Sequence, residues 1–76
     1  MICGIYKIEN IENNKVYIGK SKNIFRRWIE HQHELQAGKH HSILLQEDWN
    51  KYGATKFIFQ IIKECDESEL DKYEEK

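Results

Sequence analysis

Apolar and polar positions alternate in two short stretches near the start of the chain, "ICGIYKI" and "KVYIGKS". Alternation at a period of two, in segments rich in Ile, Val and Tyr, predicts two β-strands. The polar stretch "ENIENN" between them ends in paired asparagines, which tolerate turn conformations, so the pair reads as an antiparallel hairpin. The period then changes. In "NIFRRWIEHQHELQAG" the positions Ile24, Trp28, His31 and Leu35 fall at helical spacing and mark a face that packs on the sheet. Asn23 is placed to cap this helix and Gly38 to stop it. Ser42 caps a second helix, "ILLQEDWNKY", which Gly53 ends in the same way. "KFIFQIIKE" is a nearly continuous apolar run and reads as a third strand covered on both faces. "DESELDKYEEK" starts a third helix, with Asp66 or Ser68 as its cap. The order is β-β-α-α-β-α, a small α+β layer structure in which helices cover the strands.

The whole chain of 76 residues reads as one domain, and 39% apolar with 33% charged residues suits a folded domain rather than a disordered one. No apolar run approaches the roughly 18 residues of a membrane span, and Met1 leads almost directly into a strand, so no leader peptide and no membrane partner are expected. Cys3 and Cys65 stand far apart without a Cys-x-x-Cys pair, which fits reduced thiols in an intracellular, cytoplasmic protein. The net charge of −1 conceals an asymmetry: residues 15–27 carry five basic side chains and no acidic one, while the tail from Glu64 onward is acidic. A polyanion would meet the first half, through Lys15, Lys20, Lys22 and Arg26.

The hairpin holds a mirrored pattern, Gly4-Ile5-Tyr6 and then Tyr17-Ile18-Gly19. Side chains alternate faces along a strand, so Gly4 and Tyr6 share a face, as do Tyr17 and Gly19. Where those faces coincide, two phenols stand beside two positions without side chains, a notch for a ligand. Arg27 and His31 lie four apart on one helical face. A guanidinium turned inward needs an anion, and its planar fork suits a phosphate.

Together, Gly4-Ile5-Tyr6, Tyr17-Ile18-Gly19 and "SKNIFRRWIEH" resemble the GIY-YIG nuclease family, and "KHHSILLQEDWNKYG" with "KFIFQII" resembles its phage-type and intron-encoded homing endonucleases. The likeness spans essentially the whole chain. It implies a central three-stranded antiparallel sheet flanked by helices. It also implies hydrolysis of DNA phosphodiesters with Mg²⁺ or another divalent cation such as Mn²⁺. Carried over by position, it makes Tyr6 and Tyr17 the motif tyrosines, Arg27 the site arginine and His31 a site histidine. His40 is a further site histidine, with His41 as the neighbouring candidate. The metal-binding glutamate falls at Glu74, with Glu75 as its rival. The family pattern runs on past this glutamate, so the chain reads as a domain cut short at its C-terminus. A nucleic-acid-binding or interaction module on the same fold, without turnover, is the competing reading.

The implied chemistry needs an activated water, neutralised charge and help for the leaving oxygen. Tyr6 is the chosen general base, although a phenol with a pKa of about 10 needs Lys15, Lys20, Arg27 and the cation to favour its ionised form. Tyr17 would share the proton or orient the water, and His31 would relay a proton. Zinc is not expected, because neither His31 and His33 nor His40 and His41 supply four convergent ligands. Trp28 and Trp49 read as core. Arg26, Glu30 and Glu34 read as an outward ion-paired helical face. A monomer is expected.

Overall fold

The structure, a computed structural model, describes residues 2–66 together with Ser68 and Glu69. Strand β1 (Gly4–Asn10) runs between two antiparallel neighbours, β2 (Val16–Ser21) and β3 (Phe57–Glu64), so the sheet order is β2-β1-β3. The hairpin link is closed by Asn10, whose side-chain oxygen accepts the Glu12 N–H at 2.9 Å and whose carbonyl accepts the Asn14 N–H at 2.8 Å. Asn14 takes a left-handed φ of 63°, a conformation asparagine adopts more readily than most residues.

The first two expected helices form, with the expected caps. Helix α1 (Ile24–Gln36) begins where the Asn23 side chain accepts the Arg26 N–H at 3.3 Å. It ends in a Schellman turn: Gly38, at φ 72°, donates to the Leu35 carbonyl and Lys39 to the Glu34 carbonyl. Helix α2 (Ile43–Tyr52) begins where the Ser42 hydroxyl accepts the Leu45 N–H at 3.3 Å. A single 3₁₀ turn (Ala54–Lys56) leads into β3.

Tyr6 and Ile8 of β1 share one face of the sheet with Phe57, Phe59 and Ile61 of β3, and both helices pack on that face. Each helix uses one tryptophan on one phenylalanine. Trp28 stacks on Phe59 at 4.6 Å and 13°, and Trp49 meets Phe57 at 5.1 Å. Ile24, Leu35 and Leu45 fill the space between. Among the described residues the apolar run of β3 is therefore covered on one face only, which corrects the expectation of cover on both. As an edge strand it alternates: Phe57, Phe59 and Ile61 face the core, while Ile58 and Ile62 are about half exposed, at 47% and 51%. The third helix expected in "DESELDKYEEK" falls almost wholly outside the described residues.

Cys3 and Cys65, distant in sequence, meet across β1 and β3. The Cys65 N–H donates to the Cys3 carbonyl at 3.0 Å, and no disulfide joins them. Among the described residues no helix is long and apolar enough to cross a membrane.

Leu35 is 1% exposed at the centre of this packing. Leu35→Ala is expected to lose roughly 2–5 kcal/mol, a large share of the stability of so small a domain. Urea unfolding measures it, and a loss well under 1 kcal/mol would contradict the packing.

Candidate functional site

The hairpin register decides where the motif tyrosines point. Tyr6 lies opposite Gly19, and Ile8 lies opposite Tyr17, so both phenols stand on the helix-covered face. The expected ligand notch is already filled. A side chain at position 19 would strike the Tyr6 ring and hydroxyl, and one at position 4 would strike the Lys63 carbonyl of β3. The glycines admit the tyrosine ring and the neighbouring backbone, not a ligand. What remains open is a cleft of about 330 Å³ along Tyr6, Tyr17, His31, His40, His41 and Leu45, among others.

A chain of short hydrogen bonds runs along its wall. Tyr6 Oη lies 2.6 Å from His31 Nε2, and His31 Nδ1 lies 2.6 Å from His40 Nε2. The far end is fixed by the backbone, because the Ser42 N–H donates to His40 Nδ1 at 3.0 Å. An amide can only donate. His40 Nδ1 is therefore unprotonated, and a neutral His40 carries its proton on Nε2 and donates it to His31 Nδ1. His31, neutral in turn, carries its proton on Nε2 and donates to Tyr6. Both rings are neutral at pH 7. Burial, and then the nearby Arg27, hold His31 down to about 4. Burial, and then His41, lower His40 against the opposing pull of Glu34. Gln46 locks the approach, accepting the His40 backbone N–H at 3.0 Å and donating to the Leu35 carbonyl.

Arg27 stands one turn before His31, and its charge acts on the Tyr6 hydroxyl, pulling its pKa down. Burial raises the Tyr6 pKa and outweighs Arg27, so the resting phenol is neutral. The anions Arg27 meets here are Glu30, at 3.2 Å, and Glu34, at 3.9 Å. Glu34 is thus not on an outward face as its spacing suggested: one of its oxygens is buried, 3.8 Å from His40 Nε2. Tyr17 donates its hydroxyl proton to Asp48 at 2.6 Å, a partner that sequence reasoning missed because it depends on how α2 is set against the hairpin.

The remaining candidates separate. His40, not His41, enters the hydrogen-bonded chain, while His41 stacks on it at 4.4 Å and stays exposed. Lys22 and Arg26 line a shallow cleft with Arg27 at the start of α1. Lys15 is exposed beside Asp48. Lys20 pairs with Ile5, so it lies on the opposite face of the sheet from Tyr6 and cannot tune that phenol as expected. Glu74 and Glu75 lie outside the described residues.

A profile of the GIY-YIG catalytic domain matches residues 2–76. The chain belongs to the GIY-YIG endonuclease family. It is 49% identical over 53 residues to the intron-associated endonuclease 1 of Enterobacteria phage T4, a match that covers 70% of this chain and 22% of that protein. The chain thus corresponds to about a fifth of its relative's length. Its fold matches the catalytic domain of the homing endonuclease I-TevI with a TM-score of 0.84 at 38% identity, over 92% of this chain and 77% of that one. A mutant of the same catalytic domain matches with a TM-score of 0.81 at 45% identity, over 86% of this chain and 66% of that one.

Members of this family are metal-dependent, so the donor atoms of this GIY-YIG chain bear directly on its chemistry. His31, Glu34 and His40 offer ligand atoms within 4.8 Å of one another, and one Glu34 oxygen is buried without a hydrogen-bond partner. Two nitrogens and one oxygen suit a borderline cation rather than Mg²⁺, which takes oxygen ligands. The His40 Nε2 proton, held there by Ser42, already occupies the gap between the rings. This cluster does not suit a hard cation such as Mg²⁺.

The neutral histidines make stability depend on pH. His31 has a folded pKa below its unfolded value of 6.5, so its contribution is complete above pH 6.5 and is lost as the pH falls through about 4. The loss from His31 amounts to roughly 3 kcal/mol. Urea midpoints of the wild type are expected to fall between pH 7 and pH 4. His31→Gln should flatten that slope, and an unchanged slope would contradict a buried neutral His31.

Proposed function

We propose that the chain is the catalytic part of an endonuclease that hydrolyses DNA phosphodiesters with a divalent cation, Mg²⁺ being the first choice. The observation that carries this reading is the Tyr6 hydroxyl, held by His31 on the wall of an open cleft and near enough to Arg27 to feel its charge. Arg27 holds the non-bridging phosphate oxygens as charge builds on them. A phosphate entering the cleft would draw the guanidinium from Glu30, its present partner. Tyr6 takes the proton of the attacking water. Its ionised form is the base, and the His31 N–H steadies the charge on that oxygen.

His31 acts as this fixed donor rather than as a relay, since its Nε2 already bears a proton and the chain behind it ends at a backbone amide. Tyr17 orients the water. Glu74, or its neighbour Glu75, supplies the carboxylate for the cation, which when bound neutralises phosphate charge and acidifies a water. Lys15, Lys22 and Arg26 meet the DNA backbone around the cleft.

Supercoiled plasmid and Mg²⁺ test this. Nicking is expected, and excess EDTA should abolish it. Arg27→Ala and Tyr6→Phe should each slow it by roughly 10²-fold or more. Of Glu74→Ala and Glu75→Ala, the one that abolishes nicking identifies the ligand. Binding without nicking under every condition would instead support a binding module.

The raised Tyr6 pKa adds a second test. A base that must lose its proton, with a pKa above 10, gains active fraction as pH rises. The nicking rate is expected to climb about tenfold per pH unit from 7 to 9. A flat profile would contradict a Tyr6 phenolate.

A further inference from the structure

Tyr17 lines the cleft from β2, but its hydroxyl hydrogen is engaged elsewhere. The O–H donates to Asp48 Oδ2 at 2.6 Å. The same oxygen accepts the Asn13 side-chain N–H at 3.3 Å. Asn13 is held in turn by the hairpin link, where its own oxygen accepts the Lys15 N–H at 2.9 Å. Asp48 comes from α2 and is only 8% exposed. A buried carboxylate is costly unless donors meet it. Here the donors are Tyr17 and Asn13, with the charges of Lys15 and Lys51 nearby. This junction of β2, the hairpin link and α2 lies beside the site.

We propose that Asp48 is a positioning residue of the nuclease site: by holding the Tyr17 hydroxyl proton, it presents Tyr17 Oη to the cleft as a hydrogen-bond acceptor only. This rests on the nuclease reading above. It gives the two motif tyrosines different duties. Tyr6 Oη receives the His31 proton and keeps its own hydrogen to give or lose. Tyr17 Oη has given its hydrogen away and keeps lone pairs. A water that donates one hydrogen to Tyr17 is turned by that bond, and its other hydrogen is left for Tyr6. Tyr17 is not itself the base, because burial, and then Asp48, push its pKa up to about 12. Without Asp48 the Tyr17 hydroxyl can rotate into the cleft and donate, which reverses its polarity toward water.

The test uses the full chain with Asp48→Asn, Asp48→Ala, Tyr17→Phe and the Asp48→Ala/Tyr17→Phe double variant. Asparagine keeps an oxygen that accepts both the Tyr17 and Asn13 donors; alanine keeps none. Two readouts are taken. The first is tyrosine ionisation by ultraviolet absorbance, with the Tyr17 component identified by its loss in Tyr17→Phe. It should lie near pH 12 in the wild type and move toward 10 in Asp48→Ala. The second is plasmid nicking with Mg²⁺, alongside DNA affinity. Asp48→Ala should slow nicking about tenfold at unchanged affinity, Asp48→Asn should recover most of the rate, and Asp48→Ala should cost nothing further in the Tyr17→Phe background. An unmoved Tyr17 titration, an unchanged rate, or an equal loss without the Tyr17 hydroxyl would overturn the proposal. A wild type that binds DNA and never nicks it would overturn the nuclease reading and the catalytic duty with it. The titration would still decide whether Asp48 holds the proton.

Discussion

One backbone amide, the Ser42 N–H, sets the direction of every proton in the buried chain that ends on Tyr6. Side-chain donors can reverse by rotation or by changing tautomer; a peptide N–H cannot. Ser42 is also the cap of α2, so the residue that starts the helix orders the two imidazoles. The consequence is a Tyr6 oxygen that always receives a hydrogen bond from His31. Its environment is otherwise unfavourable to charge, and burial outweighs the neighbouring guanidinium. The site therefore rests neutral and holds its donors in place before any substrate arrives, which lowers the reorganisation required during reaction.

The rest of the fold serves to hold this chain at the sheet surface. Gly19 leaves room for the Tyr6 ring, which lies across the neighbouring strand and brings its hydroxyl to α1. Trp28 stacked on Phe59 of β3 fixes α1 over the sheet, and His31 follows one turn later on that helix. Gly38 then turns the chain sharply enough for His40 to stack against His31 at 4.9 Å. Trp49 on Phe57 sets α2, and with it both the Ser42 amide and Asp48. Packing and chemistry are joined at each of these points, so a fault in the aromatic contacts would be felt as misplaced hydrogen bonds.

The local features of this architecture were legible in the sequence. Period, caps and turn residues act within a few positions, and Asn23, Gly38, Ser42 and Gly53 mark helix ends on their own chemistry. Tyr6, Tyr17, Arg27, His31 and His40 were singled out as candidates through the likeness to the GIY-YIG pattern, and Tyr6, His31 and His40 meet in one hydrogen-bonded chain. What escaped depends on how distant elements meet. Asp48 on α2 looks like one more surface carboxylate until the helix is set against the hairpin. Glu34 follows the spacing of an outward ion pair, yet one of its oxygens turns toward His40. The apolar run of β3 looks doubly covered, although the alternation of Phe57, Phe59 and Ile61 alone satisfies the core. Lys20 is different: strand alternation from Gly19 already assigns it to the far face, and only its charge made it a candidate.

The proton order is directly observable. Long-range ¹H–¹⁵N correlation of the imidazole rings at pH 7 distinguishes the two neutral tautomers from each other and from the cation. His31 and His40 are both expected to be neutral, each protonated on Nε2 and bare on Nδ1. A proton on Nδ1 of either ring, or a doubly protonated His31, would contradict this order.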